Sequence, residues 1–225
     1  MIEELLPKTV VVVEAYGDSA METELYPEEA ALVTRSVAKR RREFAAVRSC
    51  ARRAMTALGL PPQPVLHGTL GAPIWQAELV GSLTHCEGYH AAALARTTDV
   101  ASLGIDAEPD GPLPDGVLHV ISLPAERDRL RRLTADTPGL NWDRLLFSAK
   151  ESVYKAWSPL MGKWLDFSEA DIEIFADASS PSHGTFRAKL LVPGPRVDDR
   201  HLDHFEGRWT IQRDLVATAV TVPRA

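Results

Sequence analysis

Cysteine is scarce in this chain of 225 residues: there are two, Cys50 and Cys86, in apolar surroundings and without metal-ligand spacing. A disulfide framework and a cysteine-bound zinc are thereby excluded, and free buried thiols in a reducing compartment are expected. A Cys86 nucleophile beside His85 is disfavoured, because neighbours on a strand point to opposite faces. Long apolar runs are missing as well. Val10–Val13 is too short to cross a bilayer and lacks the basic flank of a signal peptide, so a cytoplasmic protein with no membrane partner is expected. Positive charge is in deficit, 25 Lys and Arg against 31 Asp and Glu, and the net charge of -6 argues against general nucleic-acid affinity. What is present is 45% hydrophobic content, enough to bury a core in one domain or two small ones.

The scarce positive charge is unevenly placed. Eight basic residues and one acid, Glu43, lie between Arg35 and Arg53. The segment reads as a helix from about Ser36 to Leu58, ended by Gly59, with Phe44, Val47, Ala51, Met55 and Leu58 as its buried stripe. Arg41, Arg48 and Arg52 fall on one flank, while Arg40 projects along the apolar direction, where it must snorkel or meet an anion. A solvated basic face is the plain reading; phosphate binding is the sharper one, since a guanidinium fork matches phosphate oxygens.

Downstream, Pro61 to Pro73 carries a G-x-x-G-x-P turn signal at Gly68, Gly71 and Pro73. Val80–His85, Tyr89–Arg96 and Val100–Ala107 read as three strands of an antiparallel meander, turning at Cys86–Gly88. On the third strand, period two puts Asp106 and Glu108 on one face and Ile105 and Ala107 on the other. Two carboxylates about 5 Å apart repel by roughly 3 kcal/mol at an effective dielectric near 20, so a convergent pair asks for a cation. Oxygen ligands suit Mg²⁺, although acidic strand ends are commoner than metal sites. The run Pro109 to Pro114, PDGPLP, continues neither strand nor helix and marks a midpoint hinge. A short helix opening at Ser122 and Pro124 follows.

Next comes a helix from Trp142 to about Met161, capped by Asn141, with Leu145, Leu146, Ala149, Val153, Ala156, Trp157 and Leu160 in its apolar stripe. Ser148, Glu151 and Lys155 occupy the narrow polar wedge, and Lys150 lies at the stripe's edge. Glu151 and Lys155 can be a solvated i, i+4 pair worth a few tenths of a kcal/mol. Asp171–Phe175, Thr185–Val192, Gly207–Gln212 and Leu215–Val222 read as strands, the last two joined tightly at Arg213 and Asp214.

Taken together, G-I-D-x-E at Gly104–Glu108 and the stretch FSAKESVYKAW at Phe147–Trp157 resemble the 4'-phosphopantetheinyl transferases. The chain is most similar to the single-chain actinobacterial type, which activates carrier proteins of polyketide, non-ribosomal peptide and mycolate synthases. The likeness extends to Ser36–Phe44, VGSLTHC at Val80–Cys86, SLPAER at Ser122–Arg127 and Glu206–Trp209. It implies an α+β fold made of a pseudo-symmetric pair of subdomains, residues 1–110 and 111–225, each a helix on a small antiparallel sheet, with the active site between them. It implies transfer of 4'-phosphopantetheine from coenzyme A to a serine of an apo acyl, peptidyl or polyketide carrier protein. A pseudo-dimer within one chain leaves less need for a partner, so a monomer is expected.

The resemblance also implies residue roles. Asp106, Glu108 and Glu151 would hold Mg²⁺, with Mn²⁺ as a substitute. Glu151 would take the serine proton, and Lys150 or Lys155 would neutralise the leaving phosphate. Arg40 and Arg48 would take the 3'-phosphate side of coenzyme A, and Ser82, Thr84, His85, Asp106, Lys150 and Lys155 would complete its site. Relatives commonly carry a lysine before the first glycine of the loop; His67 stands there here, so the loop either no longer touches the phosphates or does so only when His67 is protonated. Tyr154 and Trp157 read as core, and a carrier-facing rim would include Met161, Lys163 and Trp164. Two other classes fit the residues: a Mg²⁺-dependent phosphohydrolase of nucleotides, and a non-catalytic module that docks carriers.

Overall fold

The computed structural model describes residues 1–17 and 24–224. In chain order its elements are β1 (Val11–Tyr16), α1 (Pro27–Leu32), α2 (Ala38–Ala57), β2 (Leu66–His67), β3 (Pro73–Ile74), β4 (Leu79–Cys86), β5 (Tyr89–Arg96) and β6 (Val100–Pro109), then α3 (Val117–Ile121), α4 (Pro124–Asp136), α5 (Trp142–Met161), β7 (Ala170–Asp177), β8 (Ser180–Leu190), β9 (Arg196–Val197), β10 (Arg200–His201), β11 (His204–Gln212) and β12 (Leu215–Pro223). Helices lie against antiparallel sheets, an α+β architecture. Among the described residues no helix is long and apolar enough to cross a membrane.

The two long helices form where the apolar spacing puts them. On α2, Ala51, Ala54 and Met55 pack with Leu79, Ala92 and Leu94 of a three-stranded sheet ordered β1-β5-β4. The helix stops at Gly59, whose φ of 75° is open to a residue without Cβ. On α5, Leu145, Leu146, Ala149, Val153 and Ala156 are fully buried against a five-stranded sheet ordered β6-β12-β11-β8-β7, and Trp142 meets the Trp209 ring edge-on at 5.6 Å. Arg213 and Asp214 both have positive φ, as a two-residue hairpin matched to strand twist requires.

The expected three-strand meander is corrected. β4 and β5 form a hairpin, but the other neighbour of β5 is β1, a strand the sequence reading did not assign, and β6 pairs instead with β12. The free edge of β6 is closed by side chains: the backbone N–H groups of Ile105 and Ala107 donate to Ser82 Oγ and Thr84 Oγ1 of β4, each at 3.1 Å. Hydroxyls thus do the work of a ladder where the two sheets meet, and an edge strand is covered. The run after β6 is fastened rather than loose. Asn141 makes no capping bond; its amide donates to Asp110, while Leu113 N–H donates to Asp143 and Arg144 donates to the carbonyls of Gly111 and Pro112.

Gly104 decides how closely α5 approaches β6. A Cβ there would lie 2.0 Å from the Ser152 carbonyl oxygen and 2.7 Å from Ala156 N. The same crossing is fixed by Ser102 Oγ donating to Ala156 O at 2.6 Å. Gly104→Ala must push the helix off the strand, and overpacking of this kind costs about 1–3 kcal/mol. We expect a lower melting temperature together with a loss of activity larger than the destabilisation explains, because Lys155 rides on the displaced helix; calorimetry and initial rates on one sample check both.

Candidate active site

Because α5 passes so near β6, charged side chains of the helix arrive at the end of the strand. Lys155 Nζ donates to Asp106 Oδ1 at 2.6 Å and to the Ile105 carbonyl at 3.1 Å. Asp106 is 4% exposed, and its other oxygen, Oδ2, is buried without a hydrogen-bond partner. Two residues on, Glu108 is half-buried and its Oε2 accepts from Arg144 Nη1 at 3.1 Å. Glu151, one helical turn before Lys155, forms no ion pair among the described residues. Burial raises the Glu108 and Glu151 carboxyls above the ordinary range, and the charge of Asp106 pushes both further up; Arg144 offsets this at Glu108 and Lys155 at Glu151. Three carboxylates therefore share one neighbourhood with two cations. In this arrangement Asp106 and Glu108 are turned to Lys155 and Arg144, and among the described residues no group of three or more His, Cys, Asp or Glu side chains is set to hold a metal ion.

Beside Asp106 opens a cavity of about 620 Å³, walled by α2, the 67–75 loop, β4 and α5. Arg40, Arg48, His67, Ser82, Thr84, His85, Asp106 and Lys155 all line it, so eight side chains expected at one site do converge. Arg48 is 9% exposed, lies over the Phe44 ring at 3.5 Å and donates to the Val65 carbonyl. Burial lowers its pKa to about 10, which leaves it cationic at neutral pH. Arg40 Nη1 is 2.6 Å from His85 Nε2, with Glu43 3.7 Å from the same nitrogen. Burial and then Arg40 push the His85 ring down to about 4, so at neutral pH it is uncharged and accepts from Arg40. His67 is exposed at the rim. Ser82 and Thr84 are buried with their oxygens committed to the β4–β6 seam, and they shape the wall.

Glu108, Lys150 and Glu151 do not line this cavity; Lys150 and Glu151 line a smaller pocket with Trp164 and Asp166, which shares Tyr154 with the first. The ammonium of Lys150 pairs with Glu126 Oε1 at 3.0 Å and donates to the carbonyls of Phe167 and Ala170. Glu126, fully buried, also accepts from Leu123 N–H and Ile172 N–H. The first half carries the same device: Glu29, fully buried, accepts from Tyr26 N–H and Val65 N–H and pairs with Arg52 at 2.8 Å. In both, a proline opens a short helix and the glutamate two positions later clasps a long helix and an extended segment beyond it. Tyr26-Pro-Glu-Glu29 and Leu123-Pro-Ala-Glu126 were the sequence signal, an apolar residue, proline and glutamate in equal spacing, and it went unread. Arg144 was missed too; one arginine in the first turn of a helix carries no signal of its own.

Residues 28–95 match the family model for the 4'-phosphopantetheinyl transferase N-terminal domain, and residues 102–218 match that for the 4'-phosphopantetheinyl transferase superfamily. The chain is 57% identical to 4'-phosphopantetheinyl transferase Svp of Streptomyces mobaraensis, over 99% of this chain and 89% of that protein. It is 47% identical to 4'-phosphopantetheinyl transferase PptT of Mycobacterium tuberculosis, over 99% of this chain and 98% of that one. It is equally, 47%, identical to 4'-phosphopantetheinyl transferase Npt of Nocardia iowensis, over 98% and 99% of the two chains. With both family models matched in order and near full-length likeness to three curated relatives, the chain belongs to the 4'-phosphopantetheinyl transferase superfamily.

Proposed function

We propose that this protein transfers the 4'-phosphopantetheine group of coenzyme A to a serine of an apo carrier protein, giving holo-carrier and adenosine 3',5'-bisphosphate. The observation that carries the reading is the meeting of Lys155, Asp106 and the arginines Arg40 and Arg48 around one 620 Å³ cavity, large enough for a nucleotide. In this reading Arg40 and Arg48 bind the phosphates at the nucleotide end, and neutral His85 serves as acceptor for Arg40 and donor to phosphate through Nδ1. Lys155 faces the pyrophosphate.

The carrier serine Oγ attacks the β-phosphorus. As the new O–P bond forms, the bond from that phosphorus to the bridging oxygen breaks, and the serine proton passes to Glu151. A carboxylate whose basicity is raised by burial and by Asp106 suits that task. Lys155, held on a helix and aimed by Asp106, meets the charge that grows on the leaving phosphate. Asp106, Glu108 and Glu151 are the residues that would hold Mg²⁺ or Mn²⁺; the partnerless buried Asp106 Oδ2 and the all-oxygen donor set fit such an ion. When bound, the cation supplies charge neutralisation across the pyrophosphate.

We further infer a pseudo-symmetric pair of halves divided near residue 110, supported by the twin proline–glutamate clasps, and a monomer that works in the cytoplasm on acyl, peptidyl or polyketide carriers. The test of function is intact mass. Incubating an apo carrier domain with the protein, coenzyme A and Mg²⁺ is expected to add one phosphopantetheine to the carrier serine, and EDTA is expected to prevent it. No addition on any of the three carrier types, with coenzyme A consumed in the same tubes, would replace this reading with a phosphohydrolase.

A further inference from the structure

The pairing around the carboxylates leaves one arginine whose placement the reaction as proposed does not use. Arg144 holds Glu108 through one contact, Nη1 to Oε2 at 3.1 Å, while its Nε donates to Gly111 O at 3.0 Å and its Nη2 to Pro112 O at 2.9 Å. The guanidinium is therefore tied to backbone on two of its three nitrogens and is only 17% exposed. It cannot swing away to make room for another cation. The carbonyls that tie it are themselves placed by the first turn of α5, through Asp143 to Leu113 N–H and Asn141 to Asp110.

We propose that Arg144 is a positioning residue that acts as the resident counter-ion of Glu108, so that a divalent cation entering the carboxylate cluster competes with it. The inference rests on the assignment of Asp106, Glu108 and Glu151 to that cation. A fixed positive charge within hydrogen-bond reach of one ligand repels an incoming +2 ion and offers that ligand an alternative partner, so the ion alone binds weakly. An anionic co-substrate reverses the balance. The pyrophosphate of coenzyme A brings the negative charge that Arg144 has cancelled, and the cation and coenzyme A then load together. Arg144 makes metal occupancy depend on the substrate, and until substrate arrives it offsets the charge of Glu108, as Lys155 does that of Asp106.

The experiment is a Mn²⁺ titration followed by the electron paramagnetic resonance of the free ion, with and without coenzyme A. Arg144→Gln is expected to bind Mn²⁺ alone about tenfold more tightly than the parent, and to gain less from coenzyme A. In a Glu108→Gln background the same change is expected to gain clearly less, since the competition for Glu108 is gone and only the direct repulsion remains; an undiminished gain would overturn the inference. Equal or weaker Mn²⁺ binding by Arg144→Gln would overturn the inference. Should that variant fail to melt cooperatively, Arg144→Lys carries the test: it cannot keep all three contacts, and about threefold tighter binding is expected, with unchanged affinity counting against. Glu151→Gln separates the two levels. If it loses Mn²⁺ binding in the presence of coenzyme A while Arg144→Gln leaves affinity unchanged, only the role of Arg144 falls; if the parent binds no Mn²⁺ even with coenzyme A, or Glu151→Gln binds it equally well, the carboxylate assignment falls and the inference with it.

Discussion

Glu151→Gln is expected to lower phosphopantetheine transfer by about a thousandfold, within the 10²–10⁴ range that a positioned general base supplies, while leaving the fold as stable as before or more so. The two halves of this expectation have one cause. Glu151 is held in a partly buried place near Asp106, with no ion pair of its own among the described residues, and its carboxyl is raised above the ordinary value of 4.5. A raised carboxyl binds its proton more tightly folded than unfolded, so its contribution is favourable below the ordinary range and is lost as pH rises through the folded value. At neutral pH the ionised group costs stability. The amide carries no charge and removes that cost. The gain in melting temperature of the variant should therefore appear above the ordinary carboxylate range and vanish below it. Transfer rates by carrier mass, and thermal melts at acid and neutral pH, check the two halves together. A variant that keeps more than a tenth of the parental rate would remove Glu151 from the reaction. A variant that melts lower at neutral pH would mean that the carboxylate makes a favourable contact.

The α5 stripe was legible over its whole length, because a helix that buries Leu145, Leu146, Ala149, Val153 and Ala156 on one sheet repeats its apolar residues at the helical period. Asp106 and Glu108 were legible as a same-face pair for the corresponding reason on a strand. The partner of β6 was not, since pairing between distant strands leaves no local pattern, and the hydroxyls of Ser82 and Thr84 that close its edge look like any polar residues on a hairpin. The strand β1 was hidden by its brevity: VVVEAY is six residues with Glu14 in the middle, and the glutamate is satisfied by Tyr89 and the Ile2 N–H only once the chain has folded. Gly104 stood in plain view in the GID motif, but the reason for it, a helix crossing at 2.0 Å from where a Cβ would be, is tertiary. The family resemblance supplied the active-site residues; it could not say which of two neighbouring lysines turns toward the cavity.

That question has a measurable answer at Lys150. Its side chain is 2% exposed and its partner Glu126 is 0% exposed, so the pair sits wholly inside the protein. Removing one member of such a pair leaves the other charge uncompensated, at a cost of about 3–5 kcal/mol. Two backbone N–H groups still donate to Glu126, which places the expectation for Lys150→Met near the low end, about 3 kcal/mol. For a chain of this size that is a fall in melting temperature of roughly 10 °C. Glu126→Gln in the same chain should restore part of it, because the buried charge is then gone. Below its lowered melting point Lys150→Met should keep kcat within about tenfold of the parent, whereas Lys155→Met, which removes the ammonium beside Asp106, should lose on the order of 10²–10³ in kcat, the scale of one electrostatic donor. If Lys150→Met melts with the parent and loses activity instead, Lys150 touches the substrate, and the clasp with Glu126 is a resting arrangement that coenzyme A breaks.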